Sequence, residues 1–198
     1  SESINFIVGG NGQGKTSILE AIYYLATSKN MLQLSDSDAV NFDSSSFKIS
    51  GKIKGLINNT AVFYYDKITN KKNYLLDGKP INKSADIIGK FPIVTITPVD
   101  HAITKGSPAD RRRFIDSVIS QTNKVYLETL LDYNKTLKQR SALLNQIILT
   151  GNRSLLDELD VWNENLVNLG TEIIKQRILF TEKFSEYVVN IYDKLLGE

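Results

Sequence analysis

Eight residues constrain this chain more than any others: Gly9-Gly10-Asn11-Gly12-Gln13-Gly14-Lys15-Thr16. The pattern Gly-x-x-x-x-Gly-Lys-Ser/Thr arises by chance in roughly 1% of chains this long at average residue usage. Its setting makes accident less plausible still. Ile4 to Val8 is an apolar run that predicts a buried strand, and Ile18, Leu19, Ile22, Leu25 and Ala26 recur at helical spacing. A strand, a glycine loop and a helix start form a phosphate cradle, because loop and first-turn N–H groups converge on anionic oxygens. Each position then has a job. Gly9, Gly10, Asn11, Gly12, Gln13 and Gly14 supply the loop backbone, and Lys15 reaches the terminal phosphates. The Thr16 hydroxyl is a magnesium ligand, and Ser17 continues the first turn. The chemistry implied is binding of ATP or a similar nucleotide with Mg2+. The competing reading is a glycine-rich turn without a ligand.

Composition narrows the setting. The 198 residues fit one or two domains, and 41% hydrophobic content supports an ordinary core. No run of eighteen apolar residues is present, so no membrane span is expected. No cysteine and a single histidine, His101, exclude disulfides, thiolate metal sites and histidine clusters. With no secretory leader pattern, the expected location is the cytoplasm. Net charge is +2, and residues 101–198 hold 13 basic against 13 acidic side chains. A nucleic-acid partner would therefore need a local basic patch. The chain starts at Ser1 and ends within a helical pattern, and it reads as a piece of a longer protein.

Beyond the first helix, residues 30–46 are polar and read as an irregular excursion. Lys48 to Ile57 alternates, Thr60 to Tyr65 is rich in β-formers, and Asn73 to Ile81 contains the hairpin dipeptide Asp77-Gly78. These runs predict an antiparallel sheet with one wet face, followed by a second buried strand at Phe91 to Thr97. Ser107-Pro108 and Asp110 then mark a helix start. Leu127, Leu130, Asn134, Leu137, Ser141, Leu144 and Ile148 predict one arm of a helical hairpin. Leu155, Leu159, Trp162, Leu166, Leu169 and Ile173 predict the other, with a turn at Thr150 to Ser154. On that seam Asn134 and Ser141 would set register, and Tyr126, Tyr133 and Trp162 would be core. The division expected is a nucleotide-binding lobe over residues 1–106 and a helical lobe over 107–198.

The run Gly10 to Ala26 is more discriminating than the loop alone. It resembles the RecF family of bacterial recombination mediators, as do three further blocks in that family's order. These are Pro98-x-Asp100 with Lys105 to Asp116, Tyr126 with Tyr133 to Leu144, and Leu159 to Glu164 with Leu169-Gly170 and Glu172 to Ile174. The resemblance implies an α/β P-loop NTPase of ABC/SMC-head type. Its mixed sheet would carry an antiparallel β subdomain and a helical lobe with a hairpin. It also implies an ATP-dependent head-to-tail homodimer that binds double-stranded DNA at single-strand/double-strand junctions. In that pathway the protein works with RecR and RecO and assists RecA loading. Three places depart from the family: Ser28 to Leu32 replaces a more basic segment, Pro98-Val99-Asp100-His101 replaces Pro-Glu-Asp-Leu, and Gly10 sits where an acid is frequent.

Hydrolysis needs a carboxylate pair at a strand end to hold magnesium and place the attacking water. Only Asp157-Glu158 superficially offers one, on a predicted helix. The resemblance places that pair and the nucleotide signature after residue 198. The expectation is nucleotide binding without turnover here, and a slow ATPase in the full-length dimer. Asp100 has two readings, a sensor of magnesium or water and a turn residue. Arg111 and Arg112, within Arg111-Arg112-Arg113, are candidate DNA-phosphate contacts, although consecutive helical residues do not share one face. His101 reads as a surface residue and Lys71-Lys72 as edge protection. The alternative functions are another ABC-type ATPase, such as an overcoming-lysogenisation-type ATPase/nuclease, and a small-molecule kinase.

Overall fold

In this computed structural model residues 4–32, 34–55 and 57–197 are described. They divide into two compact units, Ser1–Thr95 and Ile96–Glu198.

The first unit packs helix α1 (Lys15–Thr27) on a four-stranded sheet of β1 (Ser46–Ile53), β2 (Asn59–Asp66), β3 (Lys71–Leu76) and β4 (Lys79–Ile81). Strand order follows chain order, and every pair is antiparallel. Side chains alternate across the sheet, so Phe47, Ile49, Phe63, Tyr65 and Tyr74 share the face that meets Tyr24 and Leu25 of α1. The rings of Tyr24, Phe47 and Phe63 lie 4.9 to 5.6 Å apart and hold the centre of this core. Two buried phenols are matched: Tyr74 donates to the Leu25 carbonyl at 2.5 Å and Tyr24 to Asp36 at 2.8 Å. Asp77 (φ 50°) and Gly78 (φ 74°) turn β3 into β4, as expected of that dipeptide.

Two expected strands do not form. Residues 4–10 and 92–97 carry no regular secondary structure. Phe6 is 85% exposed, and Val94 and Ile96 are 85% and 92% exposed. A strand exists through its ladder partner, and no described segment pairs with either run.

The second unit is helical: α2 (His101–Lys105), α3 (Pro108–Thr122), α4 (Lys124–Thr150) and α5 (Leu156–Leu196). At the start of α3, Ser107 donates from both N and Oγ to Asp110 Oδ2, at 2.8 and 2.7 Å, with Pro108 in the first turn. Helices α4 and α5 form the hairpin, turned at Gly151 (φ 65°). The α5 seam is as expected, with Leu159, Trp162, Leu166 and Leu169 half-buried and Ile173 buried.

The α4 seam keeps Leu127, buried, and Leu130 and Leu144, half-buried, from the expected set but is otherwise rotated by about one residue. Asn134, Leu137, Ser141 and Ile148 are exposed, and the packed side runs through Tyr126, Leu130, Tyr133, Thr136, Arg140 and Leu143. Asn134 and Ser141 donate to the carbonyls of Leu130 and Leu137 on their own helix, so they do not set register. Register comes instead from Arg140 Nε on Asn163 Oδ1 at 2.6 Å. The large ring of Tyr126 and its polar partners decide the rotation. Arg177 donates to both oxygens of Asp116 at 2.8 and 2.7 Å, while the Tyr126 hydroxyl donates to Asp116 at 2.5 Å. Burial and this bond to Asp116 push the Tyr126 phenol upward, and the Asp116 hydrogen bonds raise Arg177.

Candidate nucleotide site

The loop from Gly9 to Gly14 leads directly into α1. Gly12 (φ 77°) and Gly14 (φ 81°) both sit in the left-handed region, where a side chain would strain the backbone. At each of them a Cβ would meet nothing within 4 Å, so the loop is open above its backbone. Gly14 caps α1 without any side-chain bond, and the first turn has no acidic residue. The first helical bond is Ile18 N–H to the Gly14 carbonyl at 3.2 Å. The N–H groups of Lys15, Thr16 and Ser17 therefore start the helix without intrahelical partners, at its positive end.

Lys15 folds back over the loop. Its Nζ donates to the carbonyls of Gly9 and Gly10 at 2.8 and 2.5 Å. Gln13 Oε1 accepts from Gly10 N–H at 3.0 Å. Loop carbonyls thus hold the ammonium on the same short segment that leads into the unpaired N–H groups of the helix start. Thr16 and Ser17 are exposed on the first turn. Nothing within the loop is acidic, so a polyphosphate fits the electrostatics and the space.

The other candidates lie in the second unit. Asp100 Oδ2 accepts from Thr97 N–H and Oγ1 at 2.5 and 2.9 Å, closing a turn at the start of α2. Arg111 donates to the Gly106 carbonyl, just before α3, at 3.2 Å, and Arg113 donates to Asp110 within α3 at 2.5 Å. Arg112 is exposed and makes no hydrogen bond or ion pair among the described residues. His101 is exposed. Asp157 and Glu158 lie in the first turn of α5, both exposed and on a helix rather than at a strand end. What sequence reading missed is the Gln13 clamp on Gly10, since nothing in the spacing distinguishes Gln13 from any other loop residue.

A glycine loop that opens an uncapped helix and holds its own lysine, in a chain that also contains an antiparallel sheet and a helical hairpin, defines a P-loop ATPase head of ABC/SMC type. The chain belongs to the AAA domain family, whose model matches residues 1–187. Within it the chain is similar to the DNA replication and repair protein RecF of Chloroherpeton thalassium, 40% identical over 193 residues, which are 96% of this chain and 52% of that protein. RecF of Lachnospira eligens is 38% identical over 199 residues, 100% of this chain and 54% of that protein. The chain spans about half the length of the curated relatives it matches. Among solved structures, the recombination mediator RecF-ATPrS in the RecFOR pathway superposes with a TM-score of 0.81 at 33% identity. It covers 88% of this chain and 47% of that one. RecF-ATP gives the same TM-score and identity. No helix of the described residues is long and apolar enough to cross a membrane.

Proposed function

We propose that this chain is the ATP-binding part of a cytoplasmic, RecF-like DNA-repair ATPase that acts on double-stranded DNA at single-strand gaps. The observation that carries this reading is the loop itself: Lys15 Nζ on the Gly9 and Gly10 carbonyls, in a glycine loop that opens α1 with its first-turn N–H groups unpaired. In this reading the backbone from Gly9 to Gly14 and the N–H groups of Lys15, Thr16 and Ser17 hold the phosphates. Lys15 leaves the loop carbonyls for the terminal phosphate. Gln13 releases Gly10 N–H as the anion arrives. Thr16 offers its hydroxyl to Mg2+, which would screen phosphate charge when bound. Asp100 is offered as a magnesium contact through Oδ1, with Thr97 on Oδ2.

The relatives support the DNA side of the reading. They carry the names of a replication and repair protein and of a mediator in the RecFOR pathway. Arg112, with Arg111, is offered as a phosphate contact. ATP-dependent homodimerisation and work with RecR, RecO and RecA loading belong to the same proposal. So does the division into a nucleotide-binding lobe, residues 1–106, and a helical lobe, residues 107–198, a boundary that falls after α2 whereas the compact units part at Thr95 and Ile96.

The test is the affinity of the protein for gapped duplex DNA with and without ATP and Mg2+. Tighter binding with ATP is expected. An affinity that ATP leaves unchanged overturns the mediator reading.

A further inference from the structure

The sheet of the first unit has a second face, turned away from α1, and its chemistry is one-sided. Register places Lys48 opposite Tyr64 and Tyr64 opposite Asn73. It places Lys52 opposite Thr60, and Lys71 opposite Asp66 opposite Ser46. Because side chains alternate, these residues project together on the face opposite Phe47, Phe63 and Tyr74. Lys48, Lys52 and Lys71 are all exposed and make no ion pair among the described residues. Asp66 is the one acid in these strand rows. Its carboxylate is already engaged by Thr69 N–H at 2.8 Å and the Tyr64 hydroxyl at 3.4 Å.

Lys72 shows what a structural lysine looks like here. It points to the opposite face and is ion-paired with Asp36. Its neighbour Lys71 has no such duty. The wider segment agrees, since residues 46–90 hold nine lysines against three aspartates and no glutamate, in a chain whose net charge is +2. The positive charge is therefore concentrated on this sheet and its loops rather than spread over the molecule.

Lys48 and Lys52 are about 13 Å apart along β1 at ~3.3 Å per residue, and Lys71 lies two strands across. Long flexible ammonium arms at that spacing suit a phosphate backbone. The hydroxyls of Ser46, Ser50 and Thr60 and the Asn73 amide add hydrogen-bond donors of the kind that hold phosphates and sugars. A lipid surface would call for a protruding apolar wedge, but Val62 and Leu75 on this face are half-buried.

We infer that the outer face of the β1–β4 sheet, through Lys48, Lys52 and Lys71 around Tyr64, is a contact surface for the phosphate backbone of DNA. The inference rests on the DNA-binding reading above and adds to it where the nucleic acid lies. Recognition there is independent of base sequence and falls with salt, because each neutralised phosphate releases counterions.

The experiment compares the parent chain with K48Q/K52Q/K71Q and K48R/K52R/K71R, using fluorescence anisotropy of a labelled gapped duplex over a range of KCl. The Gln triple is expected to bind about tenfold or more weakly at low salt, with a log–log salt slope flatter by about three. The Arg triple is expected to bind like the parent. Thermal melting of both triples checks the fold, and the Arg triple keeps the comparison decisive even if the Gln triple melts lower. A parent that binds DNA and a Gln triple with the same affinity and slope overturns this surface while leaving the DNA reading intact. So does a Gln triple that only aggregates more readily, which makes the lysines edge protection. Loss of binding to phosphatidylserine vesicles without any change on DNA reassigns the face to lipid. A parent with no affinity for DNA overturns both proposals.

Discussion

At the scale of single residues, two groups hold what their elements alone would not. Lys15 is parked on the carbonyls of its own loop. Asp116 gathers a bidentate Arg177 and the Tyr126 hydroxyl, with its side chain 15% exposed and that of Arg177 24% exposed. Removing one member of a buried, hydrogen-bonded charge pair leaves the other desolvated and alone. Asp116→Ala is expected to lower stability by about 3 kcal/mol in urea unfolding, since it strands both a guanidinium and a phenol. An exposed carboxylate such as Asp157 is expected to show no comparable loss in the same assay. Neither Asp116 nor Arg177 stood out in the sequence. Their 61-residue separation carries no local signature, and only the packing of α3 against α5 brings them together.

At the scale of elements, short-range chemistry is written in turns and caps. The Asp77 carboxylate accepts from Thr60 N–H at 2.7 Å and Asn59 at 2.8 Å, and these bonds hold its carboxyl below the ordinary value. Asp110 is held low first by the Ser107 hydroxyl and then by its N–H, and Asp66 first by Thr69 N–H. A carboxyl whose folded pKa is depressed contributes stability in full above its unfolded value of 3.8, and loses it as pH falls through the folded one. Thermal midpoints are therefore expected to be flat at neutral pH and to drop in the acid range below that value. Asp77→Asn, which keeps an acceptor and tolerates the left-handed turn, should lessen the drop. A variant with an acid limb identical to the parent's would remove Asp77 from the account. Turn and cap positions were readable because Asp-Gly and Ser-Pro-x-Asp act within four residues. The face of α4 was not, because its apolar residues form two adjacent stripes and spacing alone cannot choose between them. Tyr126, Arg140 and their partners on α5 and α3 made that choice.

At the scale of the whole molecule, the described residues contain a phosphate loop but no strand that ends on a carboxylate pair. Phosphate release by the chain in ATP and Mg2+ is expected to match that of Lys15→Ala, while fluorescent-nucleotide binding is expected to be at least tenfold weaker in the variant. Turnover that the variant abolishes would overturn the proposal that this chain binds without hydrolysing. The sequence by itself determined the loop, the helix it opens, the antiparallel sheet with its Asp77-Gly78 turn, and the existence of a helical hairpin. All of these are set by contacts a few residues apart or by a strong period. Only tertiary structure decided that the runs at 4–8 and 91–97 stand outside any ladder, and which side of α4 is packed. It also decided that Lys71 and Lys72 serve opposite faces. Pairing, rotation and side-chain partnership depend on neighbours distant in the chain, and the local pattern holds no record of which neighbour arrives.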